Sequence, residues 1–279
     1  MRLRSTRQSF LGEKSDEILE ETTVAIIGVS GGGTPIAQQL AHIGFGTTHL
    51  IDADIAEEHH RHRLIGISSA AVKHGWKKVR VAQRLMWRVH PEGRVLAHPQ
   101  PWQQVHEILR TCDLVFSCLD GYLARDELER YLRRFHVPLI DIGMDVAQHP
   151  DGYGIVGQVI LSMPGAHCLR CFGFIRDDLL KEEAARYGAA GERAQVVWPN
   201  GALASTAVGM AMGLLLPWHA RLRMPPYLIY DGNTLQMTPS PRLKYLEGCN
   251  CLHYEMTQRT GDPMFRLSDP LESQPAVLS

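Results

Sequence analysis

The chain of 279 residues balances 29 Lys and Arg against 30 Asp and Glu, so it offers no basic excess for a nucleic-acid surface. Its length suits one large domain or two small ones with a substantial core. The start, Met1 to Gln8, lacks the apolar stretch of a secretory signal. The six cysteines include two tight pairs, which points to metal ligands in a reducing cytoplasm rather than a disulfide framework.

In chain order, Val24–Gly28 reads as a buried strand, and Ile36, Leu40 and Ile43 mark one face of the helix after it, with Pro35 in its first turn. Thr48–Asp52 is a second strand. Val79, Ala82, Met86 and Val89 give another helical face, ended by His90-Pro91. Arg94–His98 is a third strand, with a short helix near Val105–Leu109. Asp113–Ser117, Leu123–Phe135 and Pro138–Asp141 continue the alternation as strand, helix and strand. Such alternation means a doubly wound, mostly parallel sheet with right-handed crossovers. Gly157–Leu161 then opens an antiparallel extension. Arg176 to Arg193 is polar with one short helix, and the apolar stretch Tyr227–Tyr230 follows later in the chain.

Between them, Val196 to Trp218 carries no charged residue, and Gly209 and Gly213 form a G-x-x-x-G pair. The continuous helix expected there, Ala202–Leu216, is shorter than the roughly 20 residues that span a bilayer. The expectation is a buried or subunit-interface helix and no membrane partner.

The strongest local signal is Val24-Ala25-Ile26-Ile27-Gly28-Val29-Ser30-Gly31-Gly32-Gly33, a strand running into a glycine-rich turn and a helix. Gly28, Gly31 and Gly33 have nucleotide-binding spacing, because small residues let backbone N–H groups approach a phosphate at a helix N-terminus. Asp52 closes the next strand at the distance expected of a ribose-binding carboxylate. Asp54, Arg63, Lys78 and Asp120 then add carboxylates for Mg²⁺ and cations for a triphosphate. A dehydrogenase has little use for those cations.

This ordered set resembles the ThiF/MoeB/HesA family, bacterial relatives of ubiquitin-activating enzymes. The resemblance covers about residues 7 to 251. It rests on Arg7-Gln8, the three glycines, Asp52-x-Asp54, Arg63, Gly75-x-x-Lys78-Val79-x-x-Ala82, Cys118-x-Asp120 with Arg125, and Cys168-x-x-Cys171. It implies ATP- and Mg²⁺-dependent adenylation of the C-terminal glycine of a ubiquitin-like or sulfur-carrier protein. Asp52 would hold the ribose and Asp120 the Mg²⁺. Arg63 and Lys78 would contact phosphates, and Arg7 would reach them from the other subunit of a homodimer. The implied organisation is an N-terminal arm over residues 1–20, an adenylation domain over 21–260 and a flexible tail over 261–279.

Three positions depart from the family pattern. Ser30 stands for a glycine, and its hydroxyl could bond a phosphate. His60, within His59-His60-Arg61-His62-Arg63, stands for a phosphate-contacting asparagine, and an imidazole there would titrate near 6.5. Gly121 replaces the asparagine after Asp120.

Cys168-x-x-Cys171 reads as a zinc knuckle needing two more ligands. Cys249 and Cys251 supply them, unless His253 substitutes for one thiolate; buried thiols or a redox pair are the alternatives. Family members that form a thioester carry a cysteine in the crossover loop after the first zinc pair; none lies between Phe172 and Gly248, so the resemblance implies no enzyme-bound thioester. The sequence therefore predicts an α/β adenylyltransferase with a Rossmann-like sheet and a zinc-stapled C-terminal part. A nicotinamide-dependent oxidoreductase and a degenerate zinc-stapled binding scaffold are the other readings.

Overall fold

A computed structural model describes residues 8–185, 194–216, 218–219 and 224–254. Arg7 and the tail expected over 261–279 lie outside the described residues. The elements run α1 (Ser15–Glu21), β1 (Thr23–Ile27), α2 (Gly33–Ile43), β2 (Thr47–Ile51), α3 (Ser69–Lys73), α4 (Lys78–Val89), β3 (Arg94–His98) and α5 (His106–Leu109). They continue with β4 (Leu114–Ser117), α6 (Tyr122–Arg134), β5 (Leu139–His149), β6 (Gly152–Ser162), α7 (Asp177–Ala185), α8 (Val197–Leu215), β7 (Tyr227–Asp231) and β8 (Gln236–Pro239).

The eight strands form one sheet in the order β3-β2-β1-β4-β5-β6-β7-β8. The first five are mutually parallel, and β6, β7 and β8 add on antiparallel. Each central strand is buried on both faces, which explains its unbroken apolar run. Val24 and Ile26 of β1 join Ile36, Leu40, Val79, Ala82 and Leu203 on one side of the sheet, under α2, α4 and α8. Ala25 and Ile27 face the other way, towards Leu109, Leu128 and Leu132 of α5 and α6. Within the stretch expected as an arm, Leu11 and Leu19 are buried in the first of these clusters.

Two elements run longer than their patterns suggested. β5 continues past Asp141 to His149 because β6 pairs with it along its whole length, from Leu139↔Ser162 to His149↔Gly152. α8 starts at Val197, with Pro199 in its first turn, where a missing N–H breaks no helical bond. Its buried face (Leu203, Ala204, Ala207, Val208, Ala211) lies on the core, whereas Gly209 is exposed with open space beside it. No helix of the described residues is long and apolar enough to cross a membrane.

The strand order reverses between β1 and β4, which places a crevice beyond their carboxyl ends. There the ladder runs on into the loops: Gly28 N–H donates to Ile51 O at 3.0 Å and Cys118 N–H to Ile27 O at 2.8 Å. Beneath the crevice a buried ion pair joins α6 to β5, with Arg125 Nε 3.1 Å from Asp141 Oδ1. Ser117 Oγ donates to the same oxygen at 2.6 Å, and Arg125 Nη2 donates to Ile142 O at 3.2 Å. Removing one partner strands a charge in the core, so Asp141→Ala should cost about 3–5 kcal/mol in denaturant unfolding. Arg125→Met/Asp141→Leu should cost less than the sum of the separate changes.

Candidate functional site

Gly28 sits at φ +87°, and a Cβ there would lie 2.5 Å from Cys118 O. A Cβ on Gly33 would collide with the carbonyl of Gly28. The loop therefore closes on itself at a separation only glycine allows, and it presents the N-terminus of α2 to the crevice. Ser30 O accepts from both Thr34 N–H at 3.0 Å and Thr34 Oγ1 at 2.7 Å. Ser30 Oγ is buried with no hydrogen-bond partner among the described residues.

Asp52 ties this loop to the end of β2. Its Oδ2 accepts from Val29 N–H at 2.7 Å and its Oδ1 from Asp54 N–H at 2.9 Å. Burial pushes its carboxyl above the ordinary range, against the opposing pull of Lys78 and those two N–H groups. Each oxygen keeps a lone pair for a further donor.

The start of α4 is clamped to the same segment. Lys78 N–H donates to Asp54 O at 3.0 Å, Lys78 Nζ lies 2.8 Å from Asp54 Oδ2, and Lys77 Nζ donates to Ala53 O at 2.7 Å. Lys78 is 5% exposed, whereas the Asp54 side chain is 68% exposed, so a buried cation is held by a partner on the surface. An incoming anion can share that cation without either group moving far.

These residues line a cavity of about 340 Å³. Gly28, Ser30, Gly31, Asp52, Asp54, Arg63, Lys78 and Asp120 all reach it. Gly33 and His60 do not. Gly33 acts through the turn behind the wall. His60 is 4% exposed, and its Nδ1 accepts Glu57 N–H at 3.0 Å, which leaves the ring proton on Nε2. Burial, with Lys78 beside it, lowers its pKa to about 4 rather than the 6.5 expected from sequence. His60 is thus a neutral donor at physiological pH.

Arg63 is half-buried, with its Nε buried and unpartnered among the described residues. Orphaned donors at Ser30 and Arg63 beside an N-terminal helix end suit an anionic ligand. The sequence reading missed Gln195 and Asn200 in this cavity. Gln195 Nε2 donates to Asp120 Oδ1 at 3.1 Å, and a Cβ on Gly31 would meet Asn200 Nδ2 at 2.6 Å. Their only mark in sequence is that they are polar residues at the edge of an apolar run.

A second cluster joins the middle of the chain to its far end. Cys168 Sγ lies 3.6 Å from Cys171 Sγ and 3.7 Å from Cys251 Sγ, and Cys171 lies 3.4 Å from Cys251. His253 Nδ1 is 3.4 Å from Cys168 Sγ and 3.3 Å from Cys171 Sγ. Ligands about 2.3 Å from a tetrahedral centre stand about 3.8 Å apart, so this donor set can hold a metal ion. Cys249 is a correction to the expected ligands. Its N–H returns to Leu246 O at 3.1 Å in the turn after the short helix Pro241–Tyr245, and its thiol is exposed towards Tyr245 O. The turn points Cys249 away, and His253 takes its place.

Residues 3–251 match the ThiF family. The chain is 27% identical over 255 residues to the Sulfur carrier protein ThiS adenylyltransferase of Escherichia coli, covering 88% of this chain and 93% of that one. It is 28% identical over 170 residues to the Sulfur carrier protein adenylyltransferase of Thermus thermophilus, covering 58% of this chain and 59% of the relative. Against four curated relatives, that one included, the chain spans only 32–59% of their length. The fold is similar to that of E. coli MccB crystallised with ATP (TM-score 0.66, 18% identity, 85% of this chain and 71% of that one). It is also similar to PaaA (TM-score 0.62, 20% identity, 80% and 74%).

The neutral state of His60 carries a pH signature. Its folded pKa lies below 6.5, so on acidification the unfolded chain takes up the proton first. Stability from this residue is therefore present above 6.5 and is lost as pH falls towards about 4. His60→Asn should flatten part of the decline in melting temperature across that window. An unchanged slope would place the imidazole in a solvated, ordinary environment.

Proposed function

The chain belongs to the ThiF family, and on that premise and its pocket chemistry we propose that it is an ATP- and Mg²⁺-dependent adenylyltransferase. Its substrate in this reading is the C-terminal glycine carboxylate of a ubiquitin-like or sulfur-carrier protein. The observation that carries the reading is one cavity joining the glycine turn, the buried Lys78 held by Asp54, and Asp120.

ATP enters with its phosphates against the N–H groups of the glycine turn and the Ser30 hydroxyl, and its ribose against Asp52. Lys78 and Arg63 face the phosphates, and His60, neutral and buried, holds the Glu57 N–H in the loop behind them. Asp120 would hold Mg²⁺, which when bound supplies positive charge to the phosphate oxygens. The acceptor carboxylate oxygen forms a bond to the α-phosphorus as the bond to the bridging oxygen breaks, giving an acyl-adenylate and pyrophosphate. Lys78 gains most as negative charge moves onto the leaving oxygens. No proton transfer is required, since carboxylate and pyrophosphate enter and leave as anions.

Among the described residues no thiol is set up to take the acyl group inside the pocket. Cys118 lines it, but burial and then the Asp141 carboxylate push its thiol far up. Burial pushes Cys112 up to about 12. Cys249 is exposed but does not line the cavity. Adenylate is accordingly handed on directly.

The alternative nicotinamide reading gives no role to Lys78, Asp120 or the cysteine cluster. A degenerate scaffold gives no role to the Ser30 hydroxyl and Arg63 Nε, both unpartnered among the described residues and carried by residues lining the cavity.

In this reading the Cys168, Cys171, Cys251 and His253 donors bind Zn²⁺, which clips the C-terminal end to the middle of the chain. Cytoplasmic residence fits free thiols. A homodimer would let Arg7 of one subunit complete the other's site, and the exposed side of α8 around Gly209 offers a close-packing surface.

Four measurements test these assignments. Labelled pyrophosphate should exchange into ATP only with an acceptor ending in glycine, and Asp120→Ala or Lys78→Ala should each cut the rate by at least ~100-fold. A reductant-sensitive enzyme–acceptor adduct on a gel, abolished by Cys249→Ser, would instead assign a thioester step. Elemental analysis should find about one Zn per chain, retained in Cys249→Ser and lost in Cys168→Ser or His253→Ala with a fall in melting temperature. Mixing inactive Arg7→Ala with inactive Asp120→Ala should restore part of the activity, and no recovery after verified subunit exchange would end the trans role of Arg7.

A further inference from the structure

The N-terminus of α6 begins just after Asp120, and its own sequence does not cap it. Gly121 occupies the N-cap position in an extended conformation, φ −96° and ψ 146°, with no side chain to accept a hydrogen bond. The first turn of α6 contains no acidic residue. Its free N–H groups need acceptors from elsewhere.

Glu183, on α7, supplies them from far along the chain. Tyr122 N–H donates to Glu183 Oε1 at 3.1 Å, and Leu123 N–H donates to Oε2 at 2.8 Å. A Cβ on Gly121 would lie 2.7 Å from Glu183 Oε1, so the volume a side chain at 121 would take belongs to this carboxylate. The negative charge also sits at the positive end of a 13-residue helix. α7 has no fully buried residue, and a partly buried Leu180 ties it to the core. Further along, Gln195 Nε2 holds Asp120 Oδ1.

We propose that Glu183 is a positioning residue: it caps α6 from a separate helix and fastens α7 to the loop carrying Asp120, which Gln195 also holds. Gly121 and Glu183 are a matched pair, the missing side chain of one making room for the carboxylate of the other. The loop thereby holds Asp120 in one orientation, and α7 stays docked beside the pocket. The catalytic consequence rests on the adenylation reading; the docking of α7 does not.

The test compares Glu183→Ala, Gly121→Asn and the double variant in the full chain. Glu183→Ala should lower the melting temperature and speed tryptic cleavage at Lys181 by about 5-fold, the factor a lost cap carries in a local opening equilibrium. Gly121→Asn should do the same to cleavage, because its side chain expels the carboxylate. In the double variant the introduced amide side chain caps α6 itself, so melting temperature recovers while cleavage stays fast.

Wild-type cleavage rates in Glu183→Ala, or protection restored in the double variant, would overturn the proposal. So would Gly121→Asn cleaved no faster than the wild type. In the pyrophosphate exchange, Glu183→Ala should raise the half-saturating Mg²⁺ concentration about 5-fold, with kcat at saturating Mg²⁺ within about twofold. A loss confined to kcat would overturn the positioning role. Absence of exchange in the wild type would count against adenylation alone, and melting and cleavage would still decide the cap.

Discussion

Two absent Cβ atoms govern the site. Gly33 stands against the carbonyl of Gly28, and Gly28 stands against the carbonyl of Cys118, so β1, the turn, α2 and the end of β4 converge at backbone contact. Any side chain at either position would force the turn open and move the end of α2 away from the crevice. The strand order, reversed between β1 and β4, supplies the opening; the glycines make it narrow enough for backbone N–H groups to matter.

Around that turn, one acidic segment does two mechanical jobs. Asp52 holds the turn through Val29 N–H, while Asp54 holds Lys78 and, through its carbonyl, the first N–H of α4. A buried lysine without a partner would lose its proton or unfold its surroundings. Asp54 pairs with Lys78 at 2.8 Å, yet its own exposure means that the pair can be opened to an anion at modest cost. The clamp is therefore a support of the fold and a store of positive charge at the same point.

The departures from the family pattern each have a local physical account. Burial keeps the His60 imidazole neutral, and its Nδ1 accepts the Glu57 N–H. Ser30 keeps an unpartnered hydroxyl in the wall of the cavity. Gly121 gives its space to Glu183. Only Ser30 of the three lines the cavity, so the other two replacements act on how the site is assembled.

The alternation of strands and helices was legible in the chain because each central strand is apolar throughout and each covering helix shows one apolar face: Ile36 and Leu40 in α2, Val79 and Ala82 in α4. The glycine turn, Asp52, Lys78 and Asp120 were legible for the same kind of reason, since their spacing is set by contacts local to strand ends. Partners brought in from far along the chain were not. β8, Gln195, Asn200 and Glu183 carry no periodic or spacing signal, and the choice of His253 over Cys249 depends on a turn at Gly248 and on the direction of one thiol. The pKa of His60 likewise follows from burial that only packing creates. Local sequence determined the scaffold and the nucleotide-type turn, whereas tertiary structure decided which distant polar groups complete and hold the site, because their geometry depends on how the chain returns to it.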